Sequence, residues 1–115
     1  MPVLRQFRPE LILISAGFDA CADDPLGGMR LSPSQFARLT ALVLDVADDC
    51  CDGRVVAVTE GGYNLAGLAA CLRAVVGVLS GEVSTRDCVA PTGDARRGRA
   101  SIAAVAPHVR EFWTI

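Results

Sequence analysis

Two short apolar runs, each stopped by small residues, organise this chain. The first is Leu11-Ile12-Leu13-Ile14-Ser15-Ala16-Gly17-Phe18-Asp19. The second is Arg54-Val55-Val56-Ala57-Val58-Thr59-Glu60-Gly61-Gly62-Tyr63. Both are rich in β-branched residues and bounded by turn formers, the pattern of buried parallel strands. Between them the periodicity changes. Phe36, Leu39, Val43, Val46 and Cys50 recur at helical spacing, with Ser34, Arg38, Asp45 and Asp48 opposite them. Ser32 is placed to cap this helix, Pro33 suits its first position and Gln35 completes a capping-box pattern. Asp52-Gly53 ends it and turns the chain into the second run.

A strand, a helix and a strand in one sheet predict a right-handed parallel crossover. Asp19 and Tyr63 then follow the ends of two strands on one edge of the sheet, the edge where open α/β sheets bind ligands. Beyond Tyr63, Asn64 is placed to cap a further helix. Leu65, Leu68, Leu72, Val75, Val76 and Leu79 give that helix a wide apolar face, predicted to be well buried, with Gly81 as its stop. Residues from about Glu82 to Arg99, with Pro91 and Gly93, read as a polar loop. A last helical segment is predicted from about Ser101 to Trp113, with Pro107 as a break or kink. Two parallel strands alone leave sheet edges and faces uncovered. The pattern therefore predicts part of a larger sheet, completed by a missing N-terminal segment or by another chain, or else self-association through exposed sheet edges.

Composition narrows the picture. A chain of 115 residues suffices for one domain with a modest core. Its formal net charge of -2 argues for neither nucleic acid nor a membrane as partner. No apolar run reaches the roughly 18 residues needed to span a bilayer, and Met1 to Arg8 lacks the regions of a signal peptide. The basic residues are all arginine, and Arg96-Arg97-Gly98-Arg99 reads as a solvated loop. Five cysteines, two of them adjacent at Cys50 and Cys51 and none in a CxxC pair, argue against a disulfide framework or zinc finger. They predict a reducing, cytoplasmic location.

The candidate chemistry gathers after the two runs. Asp19 reads as a metal ligand or catalytic carboxylate, or equally as a turn former. Asp24, before Pro25, reads as a turn residue without a catalytic role. Tyr63 follows two glycines that permit unusual backbone angles and close approach to a ligand. Its phenol either donates to a developing oxyanion or packs as a half-exposed aromatic. Cys21 reads as a small buried residue. His108, the only histidine, lies in the last helical segment and reads as a surface or packing residue. One hard ligand and one hydrogen-bond donor do not complete a hydrolytic metal site, which needs more ligands and a base.

Three motifs then occur in order: Phe7-Arg8-Pro9-Glu10 running on through the first strand to Asp19-Ala20, Asp24-Pro25-Leu26-Gly27-Gly28-Met29, and Glu60-Gly61-Gly62-Tyr63-Asn64-Leu65. Together they strongly resemble the zinc-dependent histone deacetylase family, which includes class II enzymes, acetylpolyamine amidohydrolases and acetoin-utilisation proteins. The resemblance covers about residues 7–81, with a tail at 82–115 whose Ser101-Ile102-Ala103-Ala104-Val105 and Phe112-Trp113 look like the end of such domains.

The resemblance implies the arginase-deacetylase α/β fold, a parallel sheet flanked by helices, here with its N-terminal part missing. It implies that Asp19 is the third zinc ligand, that Tyr63 polarises the acetyl carbonyl, and that Gly61 and Gly62 line the substrate tunnel. Zn2+ is then the cofactor of the complete enzyme, and an acetylated lysine or acetylated small amine its substrate. The family's other two zinc ligands and its paired histidines are not found in these residues. Position 21 is cysteine where relatives often have histidine, and position 59 is threonine where they often have leucine. Residues 1–115 are thus expected to be the C-terminal segment of a deacetylase-like domain, inactive in isolation. The rival expectation is a non-catalytic remnant or interaction module of the same fold without zinc.

Overall fold

The computed structural model describes residues 1–90 and 92–115; the loop reading at Pro91 lies outside the described residues. In chain order the elements are α1 (Pro2–Phe7), β1 (Ile12–Ala16), α2 (Pro33–Cys51), β2 (Val55–Thr59), α3 (Leu65–Leu79), a single 3-10 turn at Thr85–Asp87, and α4 (Arg96–Arg110). The two strands pair in parallel, with Ile12 opposite Val55 and Ala16 opposite Thr59. The crossover read from the periodicity is therefore present, with α2 as its helix.

The ends of α2 follow from local chemistry. The backbone N–H of Ser32 donates to Oε1 of Gln35 at 2.8 Å, the reciprocal half of a capping box. At the other end Asp52 and Gly53 take positive φ, 50° and 72°, and the N–H of Gly53 returns to the carbonyl of Ala47. Asn64 caps α3 as expected, its Oδ1 accepting from the N–H of Gly67 at 3.0 Å.

Among the described residues three small clusters make the core. Phe18, Cys21, Phe36, Cys71 and Val75 pack between the loop after β1 and helices α2 and α3. Ile12, Val46, Ala47 and Cys51 pack where β1 meets α2, with Leu4 of α1 against them. Ala37, Ala41, Val78 and Cys88 join α2, α3 and the segment after the 3-10 turn. The face of the sheet away from α2 is bare: Leu13, Val56 and Val58 are all exposed. No helix among the described residues is long and apolar enough to cross a membrane.

Several expectations need correction. On α2, Phe36 and Val46 are buried as read and Val43 and Cys50 pack against the core, but Leu39 is exposed and Cys51 lies deeper than Cys50. Leu39 borders an open apolar hollow of about 180 Å³ shared with Ile14, Ala57, Val75 and Leu79. Helix α3 is only partly buried. Cys71, Val75, Gly77 and Val78 are inside, whereas Leu65 and Val76 are exposed, because one side of its wide apolar face meets no neighbour.

The N-terminal residues form the short helix α1, which Leu4 and an Arg5–Asp49 ion pair hold against α2. Helix α4 begins at Arg96, inside the predicted loop. The carboxylate of Asp94, just ahead of the N-cap Ala95, accepts from the Arg96 backbone N–H at 2.9 Å and from its guanidinium at 2.7 Å. The arginine cluster is thus helical and solvated. Pro107 neither ends nor breaks α4, which runs on to Arg110.

Candidate functional site

The strand ladder continues past the ends of both strands. The N–H of Glu60 donates to the carbonyl of Ala16 at 3.0 Å, and the N–H of Phe18 to that of Gly61 at 2.6 Å. Parallel pairing carries the two following loops out on the same side, so Asp19 comes to rest against Gly61. A Cβ added at Gly61 would lie 2.5 Å from Oδ2 of Asp19 and 3.0 Å from its Cγ; one at Gly17 would lie 3.3 Å from Oδ1. The half-buried Asp19 carboxylate therefore sits between two glycines. Gly62 has φ of 145°, a conformation that favours glycine, and a Cβ there would crowd Phe18 and Leu68 at 3.1 and 3.0 Å. What approaches these two glycines closely is the protein itself, Asp19 at Gly61 and Phe18 and Leu68 at Gly62.

Asp19 and Ala20 sit in the turn after β1, closed by the N–H of Cys21 on the carbonyl of Phe18 at 3.0 Å, and Asp24 organises the turn that follows. Oδ1 of Asp24 accepts from the backbone N–H groups of Leu26 and Gly27, both at 2.9 Å. Oδ2 reaches across to the other loop and accepts from the N–H of Tyr63 at 2.8 Å and of Asn64 at 3.4 Å. Asn64 answers with its side-chain amide, which donates to the carbonyl of Asp23 at 3.1 Å. Burial works to raise the Asp24 carboxyl, but the N–H groups of Tyr63, Gly27, Leu26 and Asn64 outweigh it and hold the carboxyl below the ordinary aspartate range. Gly27 closes the loop against the backbone of Asp19, where a Cβ would overlap the Asp19 carbonyl.

Sequence reasoning found the turn half of this role and missed the cross-loop half. Asp-Pro followed by glycines signals a local Asx turn. A bond to a residue 39 positions away has no local signal.

The result is a rigid backbone frame presenting two different groups. Asp19 offers a hard oxygen ligand. Tyr63, with its backbone clamped, is 56% exposed and offers a phenolic O–H to whatever approaches. Among the described residues no group of three or more His, Cys, Asp or Glu side chains could hold a metal ion, and a catalytic zinc takes three protein ligands. These residues supply at most a share of such a site. His108 is on the exposed side of α4, 4.0 Å from Glu111, and belongs to neither loop. Cys88 packs in the third core cluster.

Comparison with known proteins gives a consistent result. Residues 1–79 match the family model of the histone deacetylase domain. The chain is similar to histone deacetylase 15 of Arabidopsis thaliana, 34% identical over 113 residues, which is 98% of this chain and 20% of that protein. It is also similar to the polyamine deacetylase HDAC10 of Mus musculus, 44% identical over 82 residues, 71% of this chain and 12% of that protein. The crystal structure of the HDA15 HD domain superposes with a TM-score of 0.81 at 34% identity, covering 98% of this chain and 28% of the other. The chain thus spans about a fifth or less of the length of these curated relatives.

Proposed function

Since the chain belongs to the histone deacetylase family, we propose that it supplies one wall of a zinc-dependent deacetylase site, removing acetyl groups from acetyl-lysine or from acetylated amines. The observation that carries this reading is the frame at the sheet edge: Asp19 seated against Gly61, and Tyr63 clamped beside it through Asp24. In this reading Asp19 contributes one of the metal's ligands, and the remaining ligands and the base come from another segment or chain. The phenol of Tyr63 donates a hydrogen bond to the acetamide oxygen as negative charge grows there, the step at which a fixed donor is worth most. In this reading Gly61 and Gly62 line the acyl tunnel beside it. Acetate and a free amine are the products. The substrate class is supported by relatives named for histone and polyamine deacetylation. The bare outer face of the sheet also supports a larger domain, because parallel sheets are covered on both faces. The second reading, a non-catalytic remnant of the fold, is favoured by the incomplete ligand set.

The test joins this chain to the N-terminal segment of a relative and measures zinc content and deacetylation together. The joined protein should bind zinc and turn over acetyl-lysine, whereas the 115 residues alone should not. Asp19→Ala should lose zinc and turnover at once. Tyr63→Phe should keep zinc and slow turnover by roughly 100-fold or more, as other oxyanion donors do. An unchanged rate for Tyr63→Phe with zinc bound would remove the role given to the phenol. A joined protein without zinc or turnover would favour the remnant reading.

A further inference from the structure

Two of the five cysteines meet. Cys21, in the loop two residues after Asp19, and Cys71, in the middle of α3, have their sulfurs 3.3 Å apart, with the Cys71 thiol directed at Cys21. Both are buried in the cluster with Phe18, Phe36 and Val75. The other thiols with hydrogen bonds face backbone oxygens: Cys51 donates to the Arg54 carbonyl at 3.6 Å and Cys88 to that of Ser84 at 3.7 Å. All five cysteines are free.

We propose that Cys21 and Cys71 are a redox pair, closed to a disulfide by hydrogen peroxide and reopened by a dithiol, that locks the Asp19 loop to α3. The sulfurs need only close from 3.3 Å to about 2.05 Å. Cys71 is fully enclosed, and burial followed by the neighbouring Cys21 thiol pushes it up to about 12. Cys21 is 5% exposed, the more exposed of the two residues, and is assigned as the sulfur that meets the peroxide.

The thiolate of Cys21 attacks one peroxide oxygen. An S–O bond forms, the O–O bond breaks, and the leaving hydroxide departs as water with the proton Cys21 gave up. The Cys71 sulfur then attacks Cys21. The S–S bond forms, the S–O bond breaks, and hydroxide leaves with the Cys71 proton as a second water. Two electrons pass from the sulfurs to the peroxide. A dithiol reverses the change by exchange, leaving as its own cyclic disulfide. The cross-link closes a loop spanning 50 positions and joins the segment carrying Asp19 and Asp24 to the helix that Asn64 caps. In a reducing compartment such a bond is transient, as a switch requires. The pair stands without the deacetylase reading; only an effect on hydrolysis rests on it.

Trypsin separates the two thiols cleanly, because Gln6–Arg30 contains only Cys21 and Val55–Arg73 only Cys71. The folded 115-residue chain is treated with hydrogen peroxide, blocked with an alkylating agent in denaturant, digested and weighed by mass spectrometry. These two peptides should appear joined, two hydrogens lighter than their sum, and dithiothreitol should part them. The same oxidation in concentrated urea should give mixed links that include Cys50, Cys51 and Cys88. Recovery of both peptides singly alkylated after peroxide overturns the proposal, and so does joining that is no faster in the folded chain than in urea. In Cys71→Ser the sulfenic acid on Cys21 has no partner, so dimedone labelling of Cys21 should rise several-fold; unchanged labelling overturns the two-step route.

Discussion

Ile12 and Leu13 are neighbours in one strand with nearly the same side chain, yet Ile12 is 8% exposed and Leu13 is 72% exposed. Successive strand residues point to opposite faces, so the pair samples the two sides of one sheet. On the side of Ile12, α2 brings Val46, Ala47 and Cys51 into contact. On the side of Leu13, Val56 and Val58 are also apolar and also exposed. The comparison separates what an apolar residue can contribute from what its surroundings let it contribute. The hydrophobic gain is proportional to area removed from water, and only one face has removed it. An apolar outer face on a parallel sheet implies a second layer, in keeping with the small share of its relatives that the chain spans.

The largest expected effect breaks this comparison directly. Ile12→Ala should cost about 2–5 kcal/mol of folding stability, as a large-to-small change in a packed site does, whereas Leu13→Ala should lie within about 0.5 kcal/mol. Urea denaturation of both variants measures the difference. Adding the N-terminal segment of a relative should sharpen the point: if that segment covers the outer face, the cost of Leu13→Ala should rise toward that of Ile12→Ala.

A second pair of neighbours repeats the lesson at the site. A Cβ on Gly27 would overlap the backbone of Asp19, while one on Gly28 meets nothing within 4 Å. Gly27→Ala should destabilise by about 1–3 kcal/mol through overpacking and displace Asp19; Gly28→Ala should be close to neutral. Denaturation midpoints, and the amide shift of Asp19 by NMR, test both parts.

The smallest effect concerns Asp24 and depends on pH. Its folded-state acidity is stronger than the ordinary aspartate value of 3.8. The stability it contributes is therefore fully present above that value and is lost as pH falls through the lower, folded-state value. Asp24→Asn should lower the thermal midpoint by several degrees at neutral pH and remove this share of the acid-induced drop. Thermal midpoints between pH 6 and pH 2 would show it, and parallel acid limbs for the two proteins would argue against the four-donor clamp.

Much of the fold was legible because it is written in local chemistry. The strand runs, the turn at Asp52-Gly53 and the cap at Asn64 each act within a few residues of themselves, and each is where the pattern placed it. Helix α1 escaped because six residues carry too little periodicity; Leu4 and the Arg5–Asp49 pair hold it from outside. The onset of α4 escaped because Gly98 and the arginines suggest a loop, and no side chain caps the helix at Ala95 to mark its start.

By itself, then, the sequence determined the strand–helix–strand order, the parallel pairing that order requires, and the presence of Asp19 and Tyr63 after two strand ends. These follow from side-chain period, capping and chain connectivity, all of which act over short distances. The tertiary structure alone decided which sheet face is covered, that Asp24 grips the backbone of Tyr63, and that Cys21 lies against Cys71. Those contacts join residues 39 and 50 positions apart, and their geometry depends on how α2 and α3 pack, which no local pattern encodes.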